Sequence, residues 1–238
     1  MALKLLAVET STEGCSVALW IDGRVIERFE IAPRRHTELV LPWAGELLAE
    51  AGVSKSELDA IAVARGPGAF TGVRLAVALV QGMALALDKP VVPVSTLAAL
   101  AYQALPRAEG RSILAAIDAR MGELYLGLFG ADPESGLVAQ GEEWMASPAT
   151  AVVPGNRMIG IGSGFAAADG VLIVALGPRL EASDPEGLPH AADVARLAVA
   201  GFLRGEAIAA DRLEPAYLRD NVALTLVEQA AARAALKK

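Results

Sequence analysis

The sequence predicts an α/β fold assembled as a degenerate duplication, with two subdomains of mixed sheet and flanking helices. Three observations carry that expectation. A trio of antiparallel strands opens the chain, and strands and helices alternate after it. The apolar run Leu5-Leu6-Ala7-Val8 ending in Glu9 then returns as Leu114-Ala115-Ala116-Ile117 ending in Asp118. At 54% hydrophobic and 21% charged residues, the 238-residue chain has ample apolar side chain for a core.

Each element has its own warrant. Leu5 to Val8 reads as a short buried strand, and Val17, Leu19 and Ile21 alternate in the next. Asp22-Gly23 supplies the positive-φ pair of a tight hairpin, after which Val25 to Ile31 returns. Thr37 to Ala51 is helical, with Leu39, Trp43, Leu47 and Ala51 on one stripe, Pro42 tolerated early and Gly52 as the stop. Ser54 and Glu57 have capping-box spacing. Ile61 to Ala64 is a strand, Thr71 to Leu87 a helix, Val91 to Val94 a strand, and Ser95 caps another helix. This order is the ribonuclease-H-like pattern.

The second half repeats it. Glu123 to Phe129 answers Ser16 to Ile21, and a boundary falls in Pro106 to Gly110. Residues 1–106, completed by the C-terminal 208–238, form the first subdomain, and 107–207 the second. Ser147-Pro148 marks a helix start, Met158 to Ile161 and Val171 to Val174 are strands, and Ala191 to Leu203 is a helix that crosses back. Thr225 to Leu236 reads as a terminal helix or tail.

Composition excludes several functions. The single Cys15 rules out a disulfide framework or cysteine zinc site, and His36 has Val40 where a helical two-histidine metal pair needs its second imidazole. A net charge of −7 is unfavourable for holding a polyanion alone. The apolar run Leu75 to Leu87 is shorter than the roughly 20 residues a spanning helix needs. No signal-peptide core stands at Leu5 to Val8, so a soluble, cytoplasmic protein without membrane association is expected.

Four segments remain as candidates. Glu9-Thr10-Ser11-Thr12-Glu13-Gly14 is either a phosphate-cradling loop or, the plainer reading, a hairpin entry whose two acids repel phosphate. Gly66-Pro67-Gly68-Ala69-Phe70-Thr71-Gly72-Val73-Arg74 leads from a strand into a helix. It either grips an anion or lets helix and sheet pack closely, and it lacks the lysine of a P-loop. The helix after it is apolar nearly all round. Ala78, Gly82 and Ala86 form a small-residue stripe and Val73, Val77, Val80 and Ala84 a second face, so it is either central or at an interface. Asp118-Ala119-Arg120-Met121-Gly122-Glu123 reads as a self-satisfied salt-bridged turn, with a cleft-facing contact as the alternative. Arg34, Arg35 and His36 read as a solvated helix entry, and His190 as a surface histidine. No nucleophile–base arrangement is evident.

Leu5 to Thr12, Arg35-His36-Thr37-Glu38, Gly66 to Arg74 and Val94-Ser95-Thr96-Leu97 resemble the TsaB (YeaZ) family. So do Ile117 to Glu123 and Pro215-Ala216-Tyr217-Leu218-Arg219-Asp220-Asn221-Val222. The resemblance runs to about residue 223, with Glu9 standing where the family often has Asp. It implies a duplicated actin/Hsp70-type (ASKHA) fold and an essential, non-catalytic scaffold or activator subunit. That subunit serves the transfer of a threonylcarbamoyl group to the adenosine beside the anticodon of ANN-decoding tRNAs. The partners implied are the catalytic paralogue TsaD and the ATPase TsaE, which carry the nucleotide and metal, with tRNA met through the complex. The absent two-histidine site argues against peptidase activity. The alternative is an independent ATPase or kinase of the same fold. The expected interface, for a homodimer or for the heterodimer with TsaD, comprises Leu39, Trp43, Leu47, Val73, Val77, Ala78, Gly82 and Ala86.

Overall fold

The computed structural model describes residues 3–133 and 136–218. Five strands build the first sheet: β1 (Lys4–Glu9), β2 (Gly14–Ile21), β3 (Arg24–Ile31), β4 (Ala60–Ala64) and β5 (Val91–Val94), in the order β3-β2-β1-β4-β5. The first three are antiparallel, while β4 runs parallel to β1 and β5 parallel to β4. Asp22 and Gly23 turn the β2–β3 hairpin at φ of 46° and 94°, as their residue types require.

The second sheet comprises β6 (Ser112–Arg120), β7 (Glu123–Asp132), β8 (Gly136–Ala139), β9 (Trp144–Ala146), β10 (Met158–Ile161) and β11 (Leu180–Asp184). Its order is β11-β10-β6-β7-β8, with β9 also on β7. Matched strand for strand, with β6 for β1, β7 for β2, β8 for β3, β10 for β4 and β11 for β5, it repeats the first sheet's order and strand directions. The duplication hinted at by a five-residue echo is thus complete at the level of topology.

Helices α1 (His36–Glu50) and α2 (Phe70–Leu87) cover one face of the first sheet, over Leu6, Val8, Val17, Leu19, Ile61 and Val63. Helix α3 (Thr96–Ala108), capped by the Ser95 hydroxyl accepting from Ala98 N–H at 3.1 Å, packs on the second sheet against Ile113, Ala115, Ile117 and Phe129. Helix α4 (Val171–Leu176) closes that sheet's other face over Leu114, Leu126 and Met158. Helix α5 (Ala191–Leu203) returns to the first sheet, against Leu5, Ala7, Ala18, Ala62 and Val92. The two halves therefore exchange helices, and α3 and α5 touch.

Two expectations are corrected. Val171 to Val174 is helical, because Leu172 and Leu176, four apart, both reach the core. Ser147-Pro148 opens only a turn, closed by Thr150 N–H to Ser147 O at 3.2 Å. Ser54 and Glu57 do form their capping box, on a single 3-10 turn at Lys55–Glu57. The first residues of the C-terminal stretch pack on the first half. Ile208 bridges Val91, Ala210 and Leu213 enter the core, and Gln81 donates to the Ala210 and Leu213 carbonyls at 3.2 and 3.0 Å. The terminal helix expected over Thr225 to Leu236, and Arg219 to Val222 of the last motif, lie outside the described residues.

Candidate functional site

A cleft of about 840 Å³ opens between the halves, where Ser11, Thr12, Phe70, Thr71, Asp118 and Tyr217 face one another. Its first wall is the loop after β1. Glu9 Oε1 accepts from both the backbone N–H and the hydroxyl of Ser11, the latter at 2.5 Å. The carboxyl is fully buried, and desolvation outweighs those bonds, raising its pKa to about 7. Glu9 continues the Leu5–Ala7 row of β1 toward α5 rather than lining the cleft.

The glycine-rich segment locks onto this loop. Ala69 N–H donates to Ser11 O at 2.7 Å, and the Thr10 hydroxyl donates to Gly72 O at 2.8 Å. A β-carbon at Gly68 would lie 2.5 Å from the Ser11 carbonyl oxygen. Gly66 takes φ of 110° while the Ala216 N–H bonds Arg65 O at 2.7 Å across it. Of the two readings of this segment, close packing is the one its geometry supports. His36 is no solvated helix entry: half-buried, its Nε2 lies 3.1 and 3.2 Å from the Thr12 and Gly14 carbonyl oxygens, which requires the proton on that nitrogen.

The opposite wall is the β6–β7 turn. Arg120, Met121 and Gly122 take φ of 63°, 57° and 77°, and Glu123 opens the return strand. Asp118 accepts from Arg120 N–H at 2.8 Å and pairs its guanidinium at 3.2 Å, so the turn is salt-bridged and cleft-facing at once. Among the described residues no three His, Cys, Asp or Glu side chains group as a metal site.

The second candidate is the outer face of α1 and α2. Leu47, Val73 and Val77 leave the expected interface: at 0%, 2% and 5% exposure they are spent on the chain's own sheet. Ala78, Gly82 and Ala86 are exposed, Leu39 and Trp43 half-buried against the core, and nothing lies within 4 Å of a β-carbon built at Gly82. Leu41 and Leu85, which the stripe reading passed over, are exposed by 49% and 66%. Only five of the 18 residues of α2 are buried, although almost all are apolar. At its N-terminal end the Arg74 guanidinium lies 3.5 Å over the Phe70 ring and donates from Nε to the Tyr217 hydroxyl at 2.6 Å.

A third cluster had no sequence signal. His190 is half-buried instead of lying on the surface, stacked on Phe29 at 4.2 Å with Nδ1 3.0 Å from Glu27. Glu27 also accepts the Ala192 N–H at 2.9 Å, and the Ser16 hydroxyl accepts the Ala191 N–H at 2.8 Å, so β2 and β3 cap α5. The Glu27 partnership raises the His190 pKa, and burial raises that of Asp193, which pairs with Arg196 at 2.5 Å.

The family model of TsaD, tRNA N6-adenosine threonylcarbamoyltransferase, matches residues 29–161, from the end of β3 to the end of β10. The tRNA threonylcarbamoyladenosine biosynthesis protein TsaB of Escherichia coli (strain K12) is 38% identical over 232 residues, 93% of this chain and 96% of its own. The chain belongs to the TsaB family, within the TsaD group. The Haemophilus influenzae TsaB is 36% identical over 229 residues, covering 92% of this chain and 95% of its own length. The solved structure of YeaZ from Pseudomonas aeruginosa superposes with a TM-score of 0.84 at 42% identity, covering 91% of this chain and all of that one. The resemblance read from the motif strings and the mixed-sheet ASKHA-type fold are both borne out. The TsaB pattern therefore spans both cleft walls and the α1–α2 face.

Proposed function

We propose that this TsaB-family chain is the non-catalytic scaffold or activator subunit of the machinery that places threonylcarbamoyl on the adenosine beside the anticodon of ANN-decoding tRNAs. It works in the cytoplasm, away from membranes, and docks a TsaD-type paralogue through the exposed α1–α2 face. A second copy of the chain competes for the same face, and the TsaE-type ATPase joins the complex. Nucleotide and metal belong to those partners, and tRNA is met through the assembly. One observation carries the reading: an apolar helical surface centred on Gly82 that is exposed among the described residues. The cleft adds support, since the Thr10 hydroxyl is bonded to Gly72, the Ser11 hydroxyl to Glu9 and the Ala69 amide to Ser11 instead of facing a ligand.

Gly82→Glu tests it. An unpartnered charge costs several kcal/mol to bury, so the variant should keep its circular dichroism while losing both self-association in sedimentation and binding to the paralogue. A folded variant that still associates with both overturns the reading, and an unfolded one contradicts the exposure of Gly82 on which it rests. The second reading is an independent ATPase or kinase of the same fold. Heat released on titrating magnesium-ATP into the isolated chain would favour it.

A further inference from the structure

The sheet face under α5 is largely apolar until the helix's first turn. There β1, β2 and β3 bring up Glu9, Ser16 and Glu27, with Glu9 and Ser16 opposite each other in the ladder. His190 is the N-cap of α5 but supplies no side-chain cap. The Ala191 and Ala192 amides are held by Ser16 and Glu27 instead, so the sheet seats this turn and its own sequence does not. The turn is also a joint between the halves. The chain enters it from β11 of the second sheet, and just before it the Leu188 carbonyl accepts from Gln103 of α3 at 2.5 Å.

Glu9 is the group this arrangement encloses. Its Oε1 takes both Ser11 bonds, and its Oε2, fully buried, has no hydrogen-bond partner among the described residues. A neutral carboxyl keeps its proton on that oxygen at modest cost, whereas a carboxylate there must be paired or hydrated. No cation pairs with it. On β4 the same face carries Ala62 and Ala64, and the Cys15 thiol of β2 belongs to the opposite face. Helix α5 brings His190, Asp193 and Arg196, but His190 is committed to Glu27 of β3 at 3.0 Å and Arg196 to Asp193 at 2.5 Å. His190 therefore acts on Glu9 only through space, and does not offset its burial. An ionised Glu9 reaches water with least disruption if the turn above it lifts.

We propose that the first turn of α5 is a proton-operated latch, closed over Glu9 while its carboxyl is protonated and released, with the joint between the halves, when that proton passes to solvent. The opening is local: β1, β4 and α3 stay folded while Ala191 to Val194 leave the sheet. The closed carboxyl titrates at about 7 and an exposed one near the ordinary 4.5. Opening is therefore favoured as pH rises and levels off above the closed value, and between pH 6 and 8 its equilibrium gains about tenfold. His190 adds to the gain, since its pKa is raised in the closed form by Glu27 and opening releases its proton too.

Amide hydrogen exchange of the full chain at pH 6 and pH 8 tests the latch, each rate being divided by the intrinsic rate at that pH. Amides of Ala191 to Val194 should lose about tenfold more protection over this interval than those of α3 and β4. Glu9→Gln keeps the acceptor for Ser11 and removes the titrating proton, so most of the difference should vanish. Ser11→Ala removes a hydroxyl that steadies the anion, so the pH at which protection falls should move upward. Protection of the first turn that does not change with pH overturns the inference. So does a loss spread evenly over α3 and β4, which would be global unfolding without a latch. A Glu9→Gln chain that keeps the parent's dependence also overturns it, by handing the effect to His190. If Glu9→Gln does not fold, Ser11→Ala decides: an upward shift supports the latch and an unmoved profile removes it.

Discussion

A β-carbon at Gly72 would stand 2.0 Å from the carbonyl oxygen of Thr10, while the Thr10 hydroxyl donates back to the Gly72 carbonyl at 2.8 Å. The start of α2 and the loop after β1 are interlocked backbone to backbone. Gly72→Ala must push apart two main-chain segments that have no flexible atoms to yield. We expect a loss of about 2–4 kcal/mol in urea unfolding. A loss below about 1 kcal/mol would mean the loops are not in this contact in solution.

Gly82→Ala is the counterpart in the same helix. Nothing lies within 4 Å of the added carbon, and alanine relieves the backbone entropy of a helical glycine. The monomer, measured at a dilution that excludes association, should gain about 0.5–1 kcal/mol.

Glu9 makes stability depend on pH. Its carboxyl titrates at about 7 in the folded chain instead of the ordinary 4.5, because burial disfavours the anion. Between those values the folded state holds a proton that the unfolded chain has released. Stability is therefore fully present below the ordinary value and falls as pH rises through the folded pKa. The full loss is on the order of 3 kcal/mol. The raised His190 pKa acts in the same direction, its share being lost as pH rises through its folded value. Urea midpoints taken from about pH 5 to 8 should fall in the parent chain, and Glu9→Gln should flatten most of that slope. A parent chain more stable at the alkaline end of that range than at the acid end would contradict the assignment.

Much of this architecture can be read along the chain, and its failures have physical causes. The hairpin at Asp22-Gly23, the cap at Ser95 and the span of α5 follow from local chemistry that fixes local backbone. Val171 to Val174 misleads because four consecutive apolar residues have no period, and the deciding partner, Leu176, lies beyond the run. Ser147-Pro148 misleads because a side-chain oxygen before proline opens turns and helices alike. Leu47, Val73 and Val77 look like interface residues because an apolar stripe is the same on paper whether it meets a sheet or a partner. The contact between Glu27 and His190 spans 163 positions and leaves no local trace.

Removing that contact should loosen one helix. Glu27→Ala strips an acceptor from the Ala192 N–H and the ion-pair partner from His190. We expect a cost of about 1–2 kcal/mol, with faster amide hydrogen exchange concentrated in the first turn of α5. Exchange unchanged there would show that Ser16 alone suffices as the cap.

Cys15 should be unreactive in the native chain. Burial, with Glu9 and Glu30 adding repulsion, pushes its thiol up to about 12, and the thiolate is the reactive species. Thiol titration at about pH 8 should register one equivalent only after denaturant is added. Rapid native labelling would place the residue at the surface.

The exchange of α3 and α5 between the halves dictates an order of events during synthesis. The first sheet is complete in sequence once β5 has been made, yet its Leu5, Ala7, Ala18, Ala62 and Val92 face is covered, among the described residues, mainly by α5, about a hundred residues later. The nascent chain thus carries a greasy, half-finished sheet through translation of the entire second half. Neither half is then a separable folding unit, and a ribosome that stalls before Leu203 releases a product with one flank of its first sheet bare to water.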